Sequence, residues 1–220
     1  MAIEIIKTGD GSDSLFNTEL DETYHSRHGA IQESKHVFIQ NGLETFVDKG
    51  LDTIRIFEVG FGTGLNALLT WQWANQKGQK VDYTSVELFP LSANIWQNLE
   101  YGRTLGMERE FQLLHEAPWN QTQTLSDRFE LTKRSVALES IELPSRHFHL
   151  VYFDAFAPNK QPELWRPEIF SRLHGAMQQG AVLVTYCAKG QVKRDMRAAH
   201  FTVQTLPGPP GKREMTRGVV

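Results

Sequence analysis

The sequence has little of what several protein classes require. Its single cysteine, Cys187, excludes a disulfide framework and a zinc site built from several cysteines. No apolar run approaches the roughly 20 residues of a membrane-spanning helix, and the N-terminus lacks the ordered regions of a secretory signal. None of the eight histidines has companion ligands at zinc spacing, so we expect no metal site. These absences predict a soluble, cytoplasmic protein that binds no metal and no membrane.

Length and composition predict one globular domain. The chain has 220 residues, of which 40% are hydrophobic and 22% are charged, and this is sufficient for a sizeable core. No repeat, low-complexity stretch or Gly/Ser linker divides it. We therefore expect a single domain over residues 1–220, in which residues 1–52 form an N-terminal extension.

Charge is unevenly distributed, although the net charge is only −3. Residues 181–220 carry a charge of +5, whereas the preceding 180 residues carry −8. A basic end on an acidic body is typical of a surface that binds a phosphate backbone. It is equally typical of a solvated helix face followed by a charged tail, so the charge pattern alone does not decide the function.

Strand-like and helix-like segments alternate after residue 52. Five runs are predicted to be strands: Thr53–Val59, Val81–Glu87, Phe129–Lys133, His149–Asp154 and Ala181–Cys187. Helices are expected at four further places: residues 33–49, 90–99, 163–179 and 191–199. Residues 136–143 fit a helix or a strand, and residues 201–206 and 213–220 fit a hairpin. This alternation predicts an α/β fold with a mostly parallel sheet, whose ligands bind just after the strands end.

A glycine-rich turn follows the first of these strands. Gly60, Gly62 and Gly64 lie between strand and helix, where residues without Cβ atoms allow a tight turn and a close ligand. The dinucleotide fingerprint places its third glycine where Leu65 stands, so the spacing favours adenosylmethionine over NAD and leaves both open. Glu87 ends the second strand, where a carboxylate accepts ribose hydroxyls, although such an acid can also simply face solvent. Loop and acid together predict a nucleoside-type cofactor.

An acidic turn follows the strand predicted at residues 149–154. Asp154, Phe156 and Pro158 combine a carboxylate, an aromatic ring and a stiff turn, as do sites that methylate amino groups. The carboxylate could accept amine N–H bonds and stabilise positive charge on nitrogen, and orientation of the amine could supply much of the rate. Phe156 could stack on a base. A structural alternative stays open, in which Asp154 caps a helix and Phe156 packs beneath it.

Longer strings of residues carry a resemblance to a known family. They are Phe57–Asn66 (FEVGFGTGLN), Phe153–Pro158 (FDAFAP) with Lys160, Pro162 and Trp165, Lys212–Met215 (KREM), and an N-terminal pattern from Tyr24 through Glu33 to Phe38. From about residue 20 onward, the chain resembles the methyltransferase half of the bifunctional tRNA 5-methylaminomethyl-2-thiouridine biosynthesis proteins. The two longest strings in this order are far more specific than either one alone.

The resemblance implies a fold, a cofactor and a reaction. The fold is that of a class I (Rossmann-like) methyltransferase, with a mostly parallel seven-stranded sheet whose last strand is antiparallel. The reaction is N-methylation of the aminomethyl group of wobble 5-aminomethyl-2-thiouridine in tRNA by S-adenosyl-L-methionine. By motif matching, the cofactor contacts are Tyr24, Glu33, Gly60, Gly62, Gly64, Asn66 and Glu87, and the amine site is Asp154, Phe156 and Pro158. The N-terminal extension is therefore expected to contribute to the site.

A tRNA substrate would give the basic end of the chain a role. We expect phosphate contacts around the anticodon region from five side chains: Lys193, Arg194, Arg197, Lys212 and Arg213. The sequence also departs from the family in two places. It has no FAD-binding domain, so a separate oxidase or other enzyme is expected to supply the aminomethyl group. Arg134 and Ser135 stand where the family carries Gly-Asp against adenine, so a hydroxyl or backbone group near Ser135 is expected there instead.

Two other functions stay open at this level. One is a transferase that acts on a small free amine, as polyamine synthases do, and it predicts further acids lining the pocket. The other is a non-catalytic protein that binds RNA or senses the cofactor, for which replacement of Asp154 would leave every modification unchanged.

Overall fold

The computed structural model describes residues 3–220. The strands are, in chain order, β1 (Ile3–Lys7), β2 (Asp13–Asn17), β3 (Glu22–Thr23), β4 (Thr53–Val59), β5 (Lys80–Val86), β6 (Thr122–Ser126), β7 (Phe129–Arg134), β8 (Phe148–Phe153), β9 (Met177–Thr185), β10 (Thr202–Pro207) and β11 (Glu214–Val219). The α-helices are α1 (Ala30–Ser34), α2 (Leu65–Lys77), α3 (Ala93–Trp96), α4 (Tyr101–Leu105), α5 (Glu108–Glu116), α6 (Pro167–Ala176) and α7 (Gly190–Ala198). Within the described residues, no helix combines the length and apolar character needed to cross a membrane.

A central sheet of eight strands organises the fold, in the order β10-β11-β9-β8-β4-β5-β7-β6. The five inner strands β9, β8, β4, β5 and β7 run parallel to one another, and β11 runs antiparallel to β9. The predicted α/β fold, with a mostly parallel sheet and an antiparallel last strand, is therefore confirmed. The predicted hairpin at the C-terminal end is also present, as β10 paired with β11.

The expected number of seven strands is wrong, because β6 adds an eighth strand at the edge of the sheet. It pairs antiparallel with β7 through a tight connection at Asp127 and Arg128. Its sequence, Thr-Gln-Thr-Leu-Ser, lacks the apolar alternation that marks a half-buried strand, and its side chains are exposed or partly buried. An edge strand of this kind gains most of its stability from pairing, which a hydrophobic pattern does not reveal.

Helices cover both faces of the sheet. On one face α2 places Trp71 against Phe129 of β7, with the two rings stacked and their centroids 5.1 Å apart. On the other face α6 places Phe170 against Phe153 of β8 at 5.3 Å, and α7 adds Met196 to the same cluster. Because both faces are covered, β8 is buried along its whole length and consists almost entirely of apolar residues.

Two predicted helices differ from the observed ones. The single helix expected over residues 33–49 is instead α1, a π-helical stretch Lys35–Gln40 and a 3₁₀ turn Leu43–Phe46. The break falls at Gly42, where an added Cβ would lie 2.5 Å from the Phe38 carbonyl oxygen, so the chain turns too closely for a regular helix. The helix expected over residues 90–99 is reduced to α3.

The segment expected to be one helix over residues 163–179 is divided into three elements. It contains a 3₁₀ turn Pro162–Trp165, then α6, and then the first residues of β9. Pro167 occupies the first turn of α6, which suits its fixed φ and missing N–H. Gly180 does not stop a helix but lies inside β9 with a φ of +75°. Residues 136–143, which fitted a helix or a strand, form neither.

The N-terminal segment has structure that the sequence patterns did not indicate. Strands β1, β2 and β3 form a separate antiparallel sheet, which the polar and mixed sequence did not predict. This segment is tied to the rest of the molecule through Asp13, whose carboxylate accepts the Glu100 amide at 2.6 Å and pairs with Lys7 at 2.7 Å. Tyr101 adds a bond to the Asp13 carbonyl. These contacts fix the extension against the helices that follow β5.

Candidate active site

A cavity of about 1060 Å³ opens where β4, β5 and β8 end. Its lining residues come from the glycine loop after β4, from Glu87 after β5 and from the Asp154 turn after β8. The N-terminal extension closes it with Tyr24 and Glu33. This cavity lies at the predicted position of ligand chemistry, just beyond the carboxyl ends of the parallel strands.

The glycine loop wraps tightly around the end of β4. Gly60, Gly62 and Gly64 have φ values of +89°, +48° and +73°, a region that side chains with a Cβ rarely adopt. A Cβ on Gly60 would lie 2.7 Å from the backbone oxygen of Asp154, and one on Gly62 would lie 3.3 Å from the Tyr24 ring. These glycines are therefore required by backbone conformation and by space. The loop forms a cradle whose backbone faces the cavity.

Glu87 is held by the backbone on both of its carboxylate oxygens. The Gly62 amide donates to Oε2 at 3.1 Å and the Phe89 amide donates to Oε1 at 2.9 Å. Burial raises the pKa of this carboxyl, and the backbone bonds oppose that rise. Because a carboxylate has about four acceptor positions, Glu87 keeps capacity to accept hydroxyl groups of a ligand.

Asp154 is the acid at the centre of the cavity. The Asn66 side-chain amide donates to its Oδ2 at 2.8 Å. Burial and the nearby Glu33 carboxylate raise the pKa of Asp154 to about 7, while the Asn66 bond and the Lys212 charge act in the opposite direction. A carboxyl that titrates near neutrality can accept a proton from a reacting group and release it again.

Four side chains hold the turn that follows Asp154. The Tyr186 hydroxyl donates to the Ala155 carbonyl at 2.8 Å, and Trp165 Nε1 donates to the Phe156 carbonyl at 2.8 Å. The Gln161 side-chain oxygen accepts the Phe156 amide at 3.1 Å. The Phe156 ring packs edge-on against Tyr24, with centroids 4.9 Å apart. The turn is therefore fixed from several directions before any ligand binds.

Lys212 enters the cavity from the β10–β11 hairpin. Its Nζ donates to Glu33 Oε2 at 2.5 Å and lies 3.9 Å from the centroid of the Tyr186 ring. The same hairpin is held to the N-terminal extension where His36 Nε2 bonds the Pro207 carbonyl at 2.9 Å. This places a cation, an acid and an aromatic face together on the side of the cavity that contains Asp154.

The other basic candidates lie outside the cavity. Lys193 pairs with Glu214 at 2.8 Å, and Arg194 donates to the side chain of Gln191 at 2.8 Å. Arg197 and Arg213 are exposed. Lys212 is the one member of the predicted set that lines the cavity.

Three positions that the sequence analysis singled out do not line the cavity. Gly64 caps α2, and neither it nor Pro158 lines the cavity, although both adjoin residues that do. The Ser135 amide donates to Asn120 Oδ1 at 3.1 Å and faces away, while Val136 to Ser140 supply this wall of the cavity.

Sequence reasoning missed several residues that shape the site. Tyr186 follows directly after β9, so the rule that ligands bind beyond strand ends could have found it. Gln161 and the pair His25–Thr63 carried no such signal, because their roles depend on contacts between distant segments. His25 Nε2 lies 2.8 Å from Thr63 Oγ1 and joins the N-terminal extension to the glycine loop. Four further acids, Glu19, Glu22, Glu139 and Glu163, also line the cavity.

Comparisons with known proteins agree with this geometry. A family model described as S-adenosyl-L-methionine-dependent methyltransferase matches residues 116–220. The tRNA 5-methylaminomethyl-2-thiouridine biosynthesis bifunctional protein MnmC of Ralstonia nicotianae is 33% identical over 211 residues, which cover 91% of this chain and 32% of that protein. The protein of the same name from Nitrosospira multiformis is 32% identical over 221 residues, covering 93% and 35%. The chain thus spans about a third of the length of these relatives.

Solved structures extend the comparison to the whole fold. The crystal structure of MNMC2 from Aquifex aeolicus matches with a TM-score of 0.77 and 27% identity, over 99% of this chain and 70% of that one. Spermidine synthase from Thermotoga maritima matches with a TM-score of 0.57 at 10% identity, over 100% of this chain and 79% of that one. At that identity the second match shows a shared fold alone.

Proposed function

Because the chain belongs to the MnmC-like S-adenosyl-L-methionine-dependent methyltransferase domains, we propose that it methylates the amino group of wobble 5-aminomethyl-2-thiouridine in tRNA. The product is 5-methylaminomethyl-2-thiouridine. The proposal rests on the position of Asp154. This acid, whose pKa is raised to about 7, lines the same cavity as the glycine cradle. The relatives also share a name that specifies this modified nucleoside.

The residues around the glycine loop fit the cofactor. The three positive-φ glycines leave room for a ligand against the backbone, and Glu87 offers a fixed carboxylate to two ribose hydroxyls. We assign the cofactor contacts to the glycine cradle and the side chains around it: Gly60, Gly62, Gly64, Asn66, Glu87, Tyr24 and Glu33. S-adenosyl-L-methionine supplies an activated methyl group at this position. Residues 1–52 act here as an extension of a single domain over residues 1–220.

Asp154, Phe156 and Pro158 form the proposed acceptor site. Asp154 accepts a hydrogen bond from the amine, which orients its lone pair, and takes up the proton that the amine loses on methylation. Phe156, held at its amide and carbonyl, presents a ring on which a base can stack, a contact worth roughly 1–3 kcal/mol. Pro158 stiffens the turn between them and Lys160.

The tRNA surface is proposed on exposed basic side chains outside the cavity. Arg194, Arg197 and Arg213 are exposed and suit phosphate contacts around the anticodon region. Lys193 and Lys212 already pair with Glu214 and Glu33, respectively. Each lysine can therefore contact a phosphate only by leaving its carboxylate partner. The aminomethyl group comes from an earlier catalytic step, and the reaction takes place in the cytoplasm.

One observation favours a second candidate, a transferase acting on a small free amine. Glu19, Glu22 and Glu163 line the cavity together with Asp154, as a polyammonium substrate would require. Lys160 and Lys212 line it as well and offset part of this negative charge. A polyamine acceptor is therefore the alternative that the test must include.

The test is methyl transfer to defined acceptors. The purified protein is incubated with methyl-labelled adenosylmethionine and tRNA that carries 5-aminomethyl-2-thiouridine, and the nucleosides are analysed by mass spectrometry. We expect methylation of that nucleoside, reduced about 10²–10⁴-fold by Asp154→Ala with cofactor binding retained. Asp127→Ala, which removes an exposed acid far from the cavity, is the matched control. Transfer to putrescine or spermidine instead of tRNA would overturn the proposal in favour of the second candidate.

A further inference from the structure

The end of the glycine loop is held from outside the cavity by a side chain that has no role in the chemistry described so far. His115, in the last turn of α5, bonds through Nε2 to the Thr63 carbonyl oxygen at 3.1 Å. Thr63 lines the cavity, whereas His115 does not. Because a carbonyl oxygen only accepts hydrogen bonds, the proton of this bond belongs to Nε2. The Thr63 hydroxyl is bonded to His25, so the carbonyl depends on His115.

The peptide that carries this carbonyl has a second orientation available to it. It joins Thr63 to Gly64, whose φ is +73°, and glycine populates positive and negative φ about equally. Rotation of the peptide would turn the carbonyl away from His115 and change the path of the chain where it enters α2. The Gly64 amide donates to the Phe61 carbonyl at 2.8 Å. This bond and the one from His115 together select the observed orientation.

Aromatic packing fixes the imidazole ring of His115. It stacks on Trp96 of α3, with the centroids 4.6 Å apart and the planes at 8°. Phe111 and Phe61 pack edge-on against it, with centroids at 4.7 and 5.5 Å. Burial lowers the pKa of His115 to about 3, and the charge of Lys133 acts in the same direction. The ring is therefore neutral at pH 7, with its one N–H on Nε2.

A buried lysine fixes the end of the helix that carries this histidine. Lys133 of β7 is 1% exposed, and its Nζ donates to the carbonyls of Leu114 and His115 at 2.8 and 2.9 Å. Both carbonyls lie at the C-terminal end of α5, where backbone acceptors lack helical partners and a cation is favourable. The same Nζ lies 5.1 and 4.8 Å from the ring centroids of Phe61 and Trp119. Lys133 thus joins the end of α5 to the glycine loop.

We propose that His115 is a positioning residue for the cofactor, which holds the Thr63–Gly64 peptide in its binding orientation, and that Lys133 keeps His115 in place. His115 acts on the ligand only through the backbone of the loop. The proposal rests on the cofactor contacts that we assign to the glycine loop and not on the identity of the acceptor. A failure to methylate tRNA would therefore contradict the proposed function and leave this role unaffected.

The first test locates the proton on the imidazole in the absence of any ligand. Imidazole ¹⁵N NMR spectra are recorded at pH 7, and the His115 signals are assigned by their loss in His115→Gln. We expect Nε2 to carry a directly bonded hydrogen and Nδ1 to carry none. An unprotonated Nε2 cannot donate to the Thr63 carbonyl and would overturn the proposal.

The second test measures the affinity for S-adenosyl-L-methionine by titration calorimetry. His115→Phe keeps an aromatic ring on Trp96 but removes the donor, and we expect it to weaken binding about tenfold, because a loop that occupies two orientations binds with only part of its population. His115→Met takes its place if the phenylalanine variant does not fold. His115→Gln restores a donor and should bind within about threefold of the unsubstituted protein. Equal losses in the phenylalanine and glutamine variants, or none in either, would overturn the positioning role.

The role of Lys133 is tested by combining variants. Lys133→Met removes both bonds to the end of α5 and should weaken cofactor binding about threefold, with little further loss when it is added to His115→Phe. Fully additive losses would show that the two residues act independently, which would overturn the role assigned to Lys133.

Gln79→Met is the matched control for these substitutions. It also removes a side-chain donor to a backbone carbonyl, that of Leu51 at 2.9 Å. These two residues precede β5 and β4, at the strand ends opposite to the cavity. We therefore expect the affinity for S-adenosyl-L-methionine to stay within about twofold. A loss equal to that of His115→Phe would show that any missing bond of this kind weakens binding, and would contradict the proposal.

Discussion

The two sides of the cavity are built in different ways. On the cofactor side, Glu87 is held by backbone amides of Gly62 and Phe89, which follow neighbouring strand ends. On the acceptor side, contacts join segments far apart in the chain: Lys212 is held beside Asp154's side of the cavity by Glu33, a proposed cofactor contact 179 residues away in the chain. The cofactor side therefore follows from local backbone geometry, whereas the acceptor side depends on tertiary packing.

The largest expected effect comes from the residue at which the two sides meet. Gly60→Ala combines an unfavourable φ with a Cβ 2.7 Å from the Asp154 backbone oxygen. Strain and overpacking together should lower the free energy of unfolding by about 4 kcal/mol and weaken cofactor binding about 100-fold or more. Urea unfolding measures the free energy of unfolding, and titration calorimetry measures the affinity for the cofactor.

Gly50→Ala is the matched control for this substitution. Gly50 also has a positive φ of +68°, but nothing lies within 4 Å of the added Cβ. Gly50→Ala should lower the free energy of unfolding through backbone strain alone and leave the affinity for the cofactor unchanged. Equal effects of the two substitutions on affinity would show that the close approach to Asp154 is unimportant.

The next effect concerns the bond that joins the N-terminal extension to the glycine loop. Burial lowers the pKa of His25 to about 4, below the value of about 6.5 for an unfolded chain. The unfolded state therefore binds a proton first, and stability is lost as the pH falls from about 6.5 to about 4, by up to about 3 kcal/mol from this residue. Urea unfolding across this range should show the loss, and His25→Gln should reduce its slope.

A smaller effect sharpens the description of the acceptor side. Activity should rise with pH through about 7 as Asp154 ionises, because the carboxylate is the form that accepts a proton. Lys212 lowers the pKa of Asp154 and Glu33 raises it. Lys212→Met should move the rising limb to higher pH and Glu33→Gln to lower pH, each by up to about one unit. Shifts in the same direction for both variants in the pH–rate profile would contradict the proposed electrostatics.

The smallest effect tests the support of the Asp154 turn. Trp165→Phe removes the donor to the Phe156 carbonyl and should lower the free energy of unfolding by about 1 kcal/mol more than Trp73→Phe. Trp73 is also buried, but its Nε1 has no partner among the described residues, so its replacement removes ring area alone. Thermal unfolding of both variants measures the difference. A larger loss for Trp73→Phe would show that the Trp165 bond is not what holds the turn.

Sequence patterns predicted the parts of the fold that rest on local rules. The apolar runs in β8 and in the second half of β9 were found because strands buried on both faces are continuous hydrophobic segments. The end of α6 was missed, since Met177 leaves helical geometry to continue into β9 although its neighbours favour a helix. Edge strand β6 gave no signal, because pairing rather than burial stabilises it.

The same division applies to the site. Gly60 and Glu87 could be identified from spacing, because a strand–turn–helix unit fixes where the backbone goes. Lys212 was placed by its charge on a nucleic-acid surface, whereas the structure brings it into the cavity against Glu33 and Tyr186. Charge alone does not reveal which acid a lysine meets. That information lies in the docking of the β10–β11 hairpin on the N-terminal extension.

The separation of Glu33 and Lys212 also has a consequence for synthesis. At about 5–20 residues per second, the ribosome adds Lys212 roughly 10–35 s after Glu33. The strands that carry the glycine loop and Asp154 are made within that interval, before Lys212 is available to pair with Glu33. A nascent chain can therefore assemble its cofactor cradle before the β10–β11 hairpin brings Lys212 into the cavity.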